Sequence, residues 1–142
     1  MKKTLDFDYG EHLDFALIGI VCAHKDFRLC FEMDKTLEIK LCKEDDFELK
    51  KDRRGSASNF SQYHYNNGDN EQYIVLGNKG SNGYFINELR HVDYFLLIKN
   101  ISPFHTMENI IEQLKKISII TRVEIIEATH YKSSENFLLI DV

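Results

Sequence analysis

Tryptophan is absent from this chain, proline occurs once, and only three cysteines are spread over its 142 residues. Cys22, Cys30 and Cys42 are odd in number, widely spaced and form no Cys-x-x-Cys pair, which excludes a disulfide framework and a zinc knuckle. Each lies in an apolar stretch, where a reduced cysteine behaves as a small buried hydrophobe. Cys22 and His24 would share one face of a strand, but two ligands do not make a metal site. Long apolar runs are missing too. A transmembrane helix needs about 20 apolar residues, and the longest run here, Phe15 to Ala23, has nine including Gly19. Lys2 and Lys3 precede that run, yet Asp6, Asp8, Glu11 and Asp14 stand between. A signal peptide places its basic residues directly before the apolar core, so the expectation is a cytoplasmic protein.

Positive charge is in deficit. Lys and Arg number 18 against 23 Asp and Glu, a formal net charge of −5, which argues against holding a nucleic-acid backbone over the whole surface. The content that remains is that of an ordinary folded domain: 43% hydrophobic and 12% aromatic residues. One domain of this length buries roughly two thirds of its unfolded surface, enough for a real core.

Phe15 to His24 is short, bounded by charge and apolar on both faces, which predicts a buried strand. Asp26 is then a fair N-cap for a helix with Phe27, Cys30, Phe31 and Leu37 on one side. Glu38 to Lys43 alternates and predicts a second strand with Ile39 and Leu41 facing inward. Residues 43–57 are densely charged with cancelling signs and are expected as a solvated loop or exposed hairpin. Ser58 to Tyr65 and Glu71 to Leu76 read as paired strands about a turn whose Asn67-Gly68 step supplies positive φ. Residues 77–85 carry glycines three apart. Lys79 precedes Gly80-Ser81, and no helix start follows, so they read as a Gly/Asn-rich surface loop, not a phosphate cradle. His91 to Lys99 is a nearly continuous apolar strand. Ser102-Pro103 supplies a cap for a helix whose Phe104, Met107, Ile110, Ile111, Leu114 and Ile117 recur at helical spacing. Ile119 to Glu127 is a further strand, and the tail from Asn136 to Val142 is expected to dock as an edge strand or pack on the sheet. The fold expected is a single α+β domain over residues 1–142. Its sheet is mixed, with two or three helices, arranged as ferredoxin-like split βαβ units around a central hairpin.

Ile86-Asn87-Glu88-Leu89-Arg90-His91-Val92-Asp93-Tyr94 fits the pattern Ile-Pro-Glu, three variable residues, Val-Asp-Tyr. It resembles the motif of the IPExxxVDY family of small bacterial proteins, which has no assigned activity. The acidic, aromatic N-terminus, Asp26-Phe27-Arg28-Leu29, Asn78-Lys79 after a strand, and the strand–helix–strand finish extend the resemblance. Asn87 stands where the family has proline, and asparagine is itself a turn former.

Within the motif, Ile86 and Val92 are expected in the core, flanking a turn. Glu88, His91, Asp93 and Tyr94 are its polar groups. Asp93 opens a strand apolar on both faces, and burying a carboxylate is expensive unless N–H groups or a cation satisfy it. One reading has Asp93 pin the preceding loop while Tyr94 packs its ring and bonds its hydroxyl. The other is a polar pocket with Glu88 or Asp93 as base and His91 as acid. No nucleophile, metal set or phosphate loop accompanies them, so no catalytic residue or cofactor is assigned. The expected role is a non-catalytic interaction or structural module, pairing with itself or another protein and not with a membrane or nucleic acid. The alternatives are a small-ligand regulatory domain, and an enzyme using Glu88, His91 and Asp93.

Overall fold

The structure is a computed structural model that describes residues 15–50, 57–68, 70–101, 107–127 and 136–137. Strand β1 (Phe15–Cys22) sends Ile18, Ile20 and Cys22 into one core and Leu17 into another. Strands β4 (Gln72–Gly77) and β7 (Tyr94–Lys99) do the same, with Tyr73, Val75, Leu96 and Ile98 on one face and Ile74, Leu76, Phe95 and Leu97 on the other. Because alternate side chains point to opposite faces, a run apolar at every position requires cover on both.

The sheet has six strands in the order β2-β3-β4-β7-β1-β8, where β2 is Cys42–Lys50, β3 Ala57–Asn66 and β8 Ile120–Ile125. Every neighbouring pair is antiparallel, which corrects the expected mixed sheet. The two crossovers do return the chain in its original direction, but into positions already separated by other strands. β7 and β8 run parallel with β1 between them, a split βαβ unit. β1 and β2 run parallel with β7, β4 and β3 between them. Two equal units around a hairpin are therefore replaced by one narrow crossover, one wide crossover and a β2-β3-β4 meander.

Helices α1 (Asp26–Leu37) and α2 (Met107–Lys115) cover one face through Leu29, Cys30, Met33, Ile110 and Leu114. Lys25, not Asp26, is the N-cap residue of α1. Asp26 is the first helical residue, and its carboxylate accepts the Phe27 N–H at 2.7 Å, a favourable place for negative charge. Phe27 and Phe31, expected on one side of the helix with Cys30 and Leu37, are 62% and 57% exposed. The buried stripe runs through Leu29, Cys30 and Met33, and one turn cannot bury both that face and the opposite one. Ser102-Pro103 lies outside the described residues.

The strand expected over Glu38 to Lys43 begins only at Cys42. Glu38 adopts φ +57° at the end of α1, and Asp34 Oδ1 accepts the Leu41 N–H at 2.9 Å, so residues 38–41 form a stitched connection. Of the two forms expected for the 43–57 segment, a solvated loop or an exposed hairpin, the described residues take the hairpin: residues 43–50 pair antiparallel with β3 as far as Lys50 opposite Ala57. Lys43 to Lys50 belongs to β2, at the sheet edge, where its charges remain solvated while Leu49 packs inward. In the β3–β4 turn the expected positive φ falls at Gly68, at +90°, and at Asn70, at +71°, and not at Asn67; the Gly68 N–H donates to Asn66 Oδ1 at 2.9 Å.

The face without helices is covered by residues 78–92 and by Phe137. Within this layer, β5 (Lys79–Gly80) and β6 (Gly83–Tyr84) form a small ribbon, so the expected 77–85 loop is ordered. A Cβ at Gly80 would lie 2.8 Å from the Asn59 carbonyl oxygen, which explains glycine there without any phosphate. Phe85 sits 5.2 Å from Phe60 and 5.1 Å from Phe137, and Phe137 lies 5.3 Å from Phe95. Burying each ring contributes about 2–3 kcal/mol, so this layer is a second core. Of the apolar tail, only Asn136 and Phe137 are described; Asn136 Nδ2 donates to the Phe85 carbonyl at 2.8 Å.

Candidate functional site

The motif lies between the β5–β6 ribbon and β7. Ile86 and Val92 are buried, as expected, together with Leu89. Between them, Asn87–Leu89 forms one 3₁₀ turn. Asn87, where the family pattern has proline, is the first residue of that turn. An N–H at that position has no partner within the turn, and proline is favoured there.

The segment is held by Asn78, which is fully buried. Its Nδ2 donates to the carbonyls of Leu89 and Val92, both at 2.9 Å, and its Oδ1 accepts the Ile86 N–H at 2.8 Å. Its backbone N–H donates to the Asp93 carbonyl at 2.9 Å, and its carbonyl accepts the Phe85 N–H at 2.7 Å. One short side chain thereby satisfies three backbone groups of a buried loop that has no strand partner to do so. Sequence reading passes over this role. Asn78 stands out there only as part of a resemblance, although a small amide directly after an apolar strand is the available signal.

Asp93 and Tyr94 fasten the other end. Asp93 Oδ2 accepts the Cys22 N–H at 2.7 Å, and its own N–H donates to the Ile20 carbonyl at 2.9 Å. The Tyr94 hydroxyl donates to the His24 carbonyl at 2.7 Å. Burial raises the ionisation of this phenol far above its usual range, with Asp26, Cys22, Asp93 and Cys30 adding to the effect. Glu88 and His91 are exposed. His91 Nε2 lies 3.0 Å from Glu124 Oε2 on β8.

Asp93 and Tyr94 line a shallow cleft of about 320 Å³ together with Cys22, His24, Asp26 and Lys79. Glu88 and His91 do not line it, so this cleft does not bring His91, the acid of the enzyme reading, together with Glu88 and Asp93, its candidate bases. Burial raises the Cys22 thiol, opposed by its hydrogen bond with the His24 backbone. Among the described residues, no three His, Cys, Asp or Glu side chains form a group able to hold a metal ion.

A second recess of about 430 Å³ opens between the ends of the two helices and the β3–β4 turn, lined by Tyr65, Asn67, Glu71, Tyr73, Asn109 and Gln113 among others. Glu71 is almost fully buried, accepts from Asn67 Nδ2 at 2.9 Å and bonds Tyr73. Burial, with the Glu71 charge second, pushes the Tyr73 phenol up to about 12. Sequence reading does not identify this recess.

The two sheet edges differ. β2 carries Lys43, Glu44, Asp45, Asp46, Glu48 and Lys50 and shifts register between Glu44 and Phe47, both devices that discourage further pairing. β8 reads Ile-Thr-Arg-Val-Glu-Ile, and its Ile125 is 51% exposed. Among the described residues its one strand neighbour is β1. No helix of the described residues is long and apolar enough to cross a membrane.

Compared with known proteins, the chain matches no family model, no curated protein and no solved structure.

Proposed function

We propose that this protein is a non-catalytic interaction module that offers the edge of a rigid sheet to another polypeptide. The observation that carries the reading is β8, an edge strand rich in β-branched residues, with an exposed isoleucine and one neighbour among the described residues. Such an edge presents unpaired N–H and C=O groups to an incoming strand. The motif supports the reading from the other side: Asp93 and Tyr94 are engaged with backbone groups, and Asn78 ties the loop between them and the ribbon. The resemblance to the IPExxxVDY proteins is, on this proposal, a shared clasp and not a shared reaction centre.

The test compares proteins retained by the tagged full chain from its host with those retained by Val123→Pro and Ile125→Lys, both confirmed folded by circular dichroism. The Val123 N–H faces away from β1, so proline removes no native ladder bond. Both edge variants should lose what the wild type retains, whereas Glu88→Gln and His91→Gln should keep it. Equal retention by the edge variants, loss in the motif variants, or a wild type that retains nothing and stays monomeric would overturn the proposal.

One observation favours a second reading, a small-ligand domain: the recess around Glu71, Tyr65 and Tyr73 combines a buried carboxylate with hydroxyl and amide groups. A thermal-shift screen with amines and nucleosides should raise Tm on this reading, and no shift at millimolar concentration would remove it.

A further inference from the structure

Resting on the interaction-module reading, we infer that the strand β8 receives is β8 of a second copy, in one particular register. The Ile126 N–H donates to the Leu17 carbonyl at 3.0 Å, and Gly19 stands opposite Glu124. Ladder bonds alternate along an antiparallel pair. The backbone groups of Arg122 and Glu124 therefore point toward β1, and those of Val123 and Ile125 point outward. A two-fold antiparallel partner must exchange its bonds with these outward groups.

Three two-fold registers fit the middle of this short strand. Centring on Arg122 sets arginine against arginine, and centring on Glu124 sets glutamate against glutamate. Centring on Val123 sets each Arg122 opposite the partner copy's Glu124, twice by symmetry. In that register the two residues form the non-hydrogen-bonded pairs, where side chains come closest. Opposite charges stabilise such a pair and like charges oppose it, so the sequence Arg-Val-Glu is complementary to itself in one register and repulsive in its neighbours. Arg122 and Glu124 lie 3.5 Å apart within the strand, already on the same face. On the other face, Ile125 would meet the partner copy's Thr121, covering the exposed isoleucine.

Equilibrium sedimentation of the full chain over a range of concentrations tests the assignment. The wild type should show reversible monomer–dimer exchange. Arg122→Glu and Glu124→Arg should each weaken it by at least about tenfold, because each turns two opposite pairs into like pairs. An equimolar mixture of the two should associate as tightly as wild type. One chain of the mixed dimer then carries acids at both positions, and the other carries arginines at both, so each acid faces an arginine. The chain carrying both substitutions keeps every opposite pair and should dimerise as wild type does, which controls for a folding defect in either single variant. A wild type monomeric throughout, or a mixture no tighter than its components, overturns the inference. If the wild type is monomeric yet retains another protein that Val123→Pro releases, the second copy is excluded while the interaction-module reading stands.

Discussion

Replacing Asn78 by alanine removes three hydrogen bonds of 2.8–2.9 Å at a fully buried position. The Val92 carbonyl and the Ile86 N–H then lose their partner inside the second core, while the Leu89 carbonyl keeps the Val92 N–H at 3.0 Å. Each buried group left unsatisfied costs about 1–3 kcal/mol. Partial relaxation keeps the sum below the simple total, and about 3–5 kcal/mol is expected. Folded domains have only about 5–15 kcal/mol of stability, so this substitution removes a large share. At about 2–4 °C per kcal/mol for a chain of this size, Tm should fall by roughly 6–20 °C. Urea unfolding followed by circular dichroism gives the free energy directly, with an unchanged slope indicating that the native surface is intact. Asn78→Asp is the sharper control. It keeps an acceptor for Ile86 but aims a second oxygen at two carbonyls, and should be at least as damaging at pH 7. An Asn78→Ala protein within about 0.5 kcal/mol of wild type would refute the clasp, since that is the range of ordinary surface substitutions.

Asn87→Pro should be neutral or stabilising by about 0.4–1 kcal/mol in the same urea experiment, because the first residue of the 3₁₀ turn gives up no bond within the turn and only an exposed one, from Arg90 Nε to Asn87 Oδ1 at 3.1 Å, while proline restricts the unfolded chain. His64 is held below the usual histidine range by burial, with Glu44 opposing. Its neutral form thus favours the native state above the unfolded value of about 6.5, and stability should fall as pH drops from that value through the folded one. His64→Gln should flatten this part of a stability–pH curve measured between about pH 7.5 and 5. Cys42 is exposed while Cys22 and Cys30 are buried, with burial raising both thiols and acting most strongly on Cys30. A chromogenic disulfide reagent should therefore label one thiol rapidly in the native protein and the other two only after denaturation.

The elements most legible in the sequence are those whose burial pattern is written locally. β1, β4 and β7 are apolar at nearly every position because both faces of the central sheet are covered, and α2 carries Ile110 and Leu114 at helical spacing. β2 is obscured because an edge strand with a solvated outer side needs few apolar residues; only Phe47 and Leu49 mark it against a run of charges from Lys43 to Arg54 that continues past its end. Phe27 and Phe31 mislead because large apolar side chains suggest burial, whereas the angular position of Leu29, Cys30 and Met33 sets the inner face. The antiparallel order is not legible at all, since the local pattern of a strand–helix–strand unit is the same whether its strands are adjacent or separated. The candidate site divides in the same way. The motif stands out, and the engagement of Asp93 with backbone follows on energetic grounds. Asn78 does not, because its partners lie 8 to 14 residues away and only the fold brings them together.

Amide hydrogen exchange at Val123 and Ile125, read residue by residue in dilute and in concentrated solution of the full chain, tests most directly whether β8 is an edge held open for a second copy. Both amides should exchange at nearly open-chain rates when dilute and become protected at least about tenfold when concentrated, while the β1-facing amides of Arg122 and Glu124 stay protected throughout. Equal exchange of Val123 and Ile125 at both concentrations, whether fast or slow, would contradict the account.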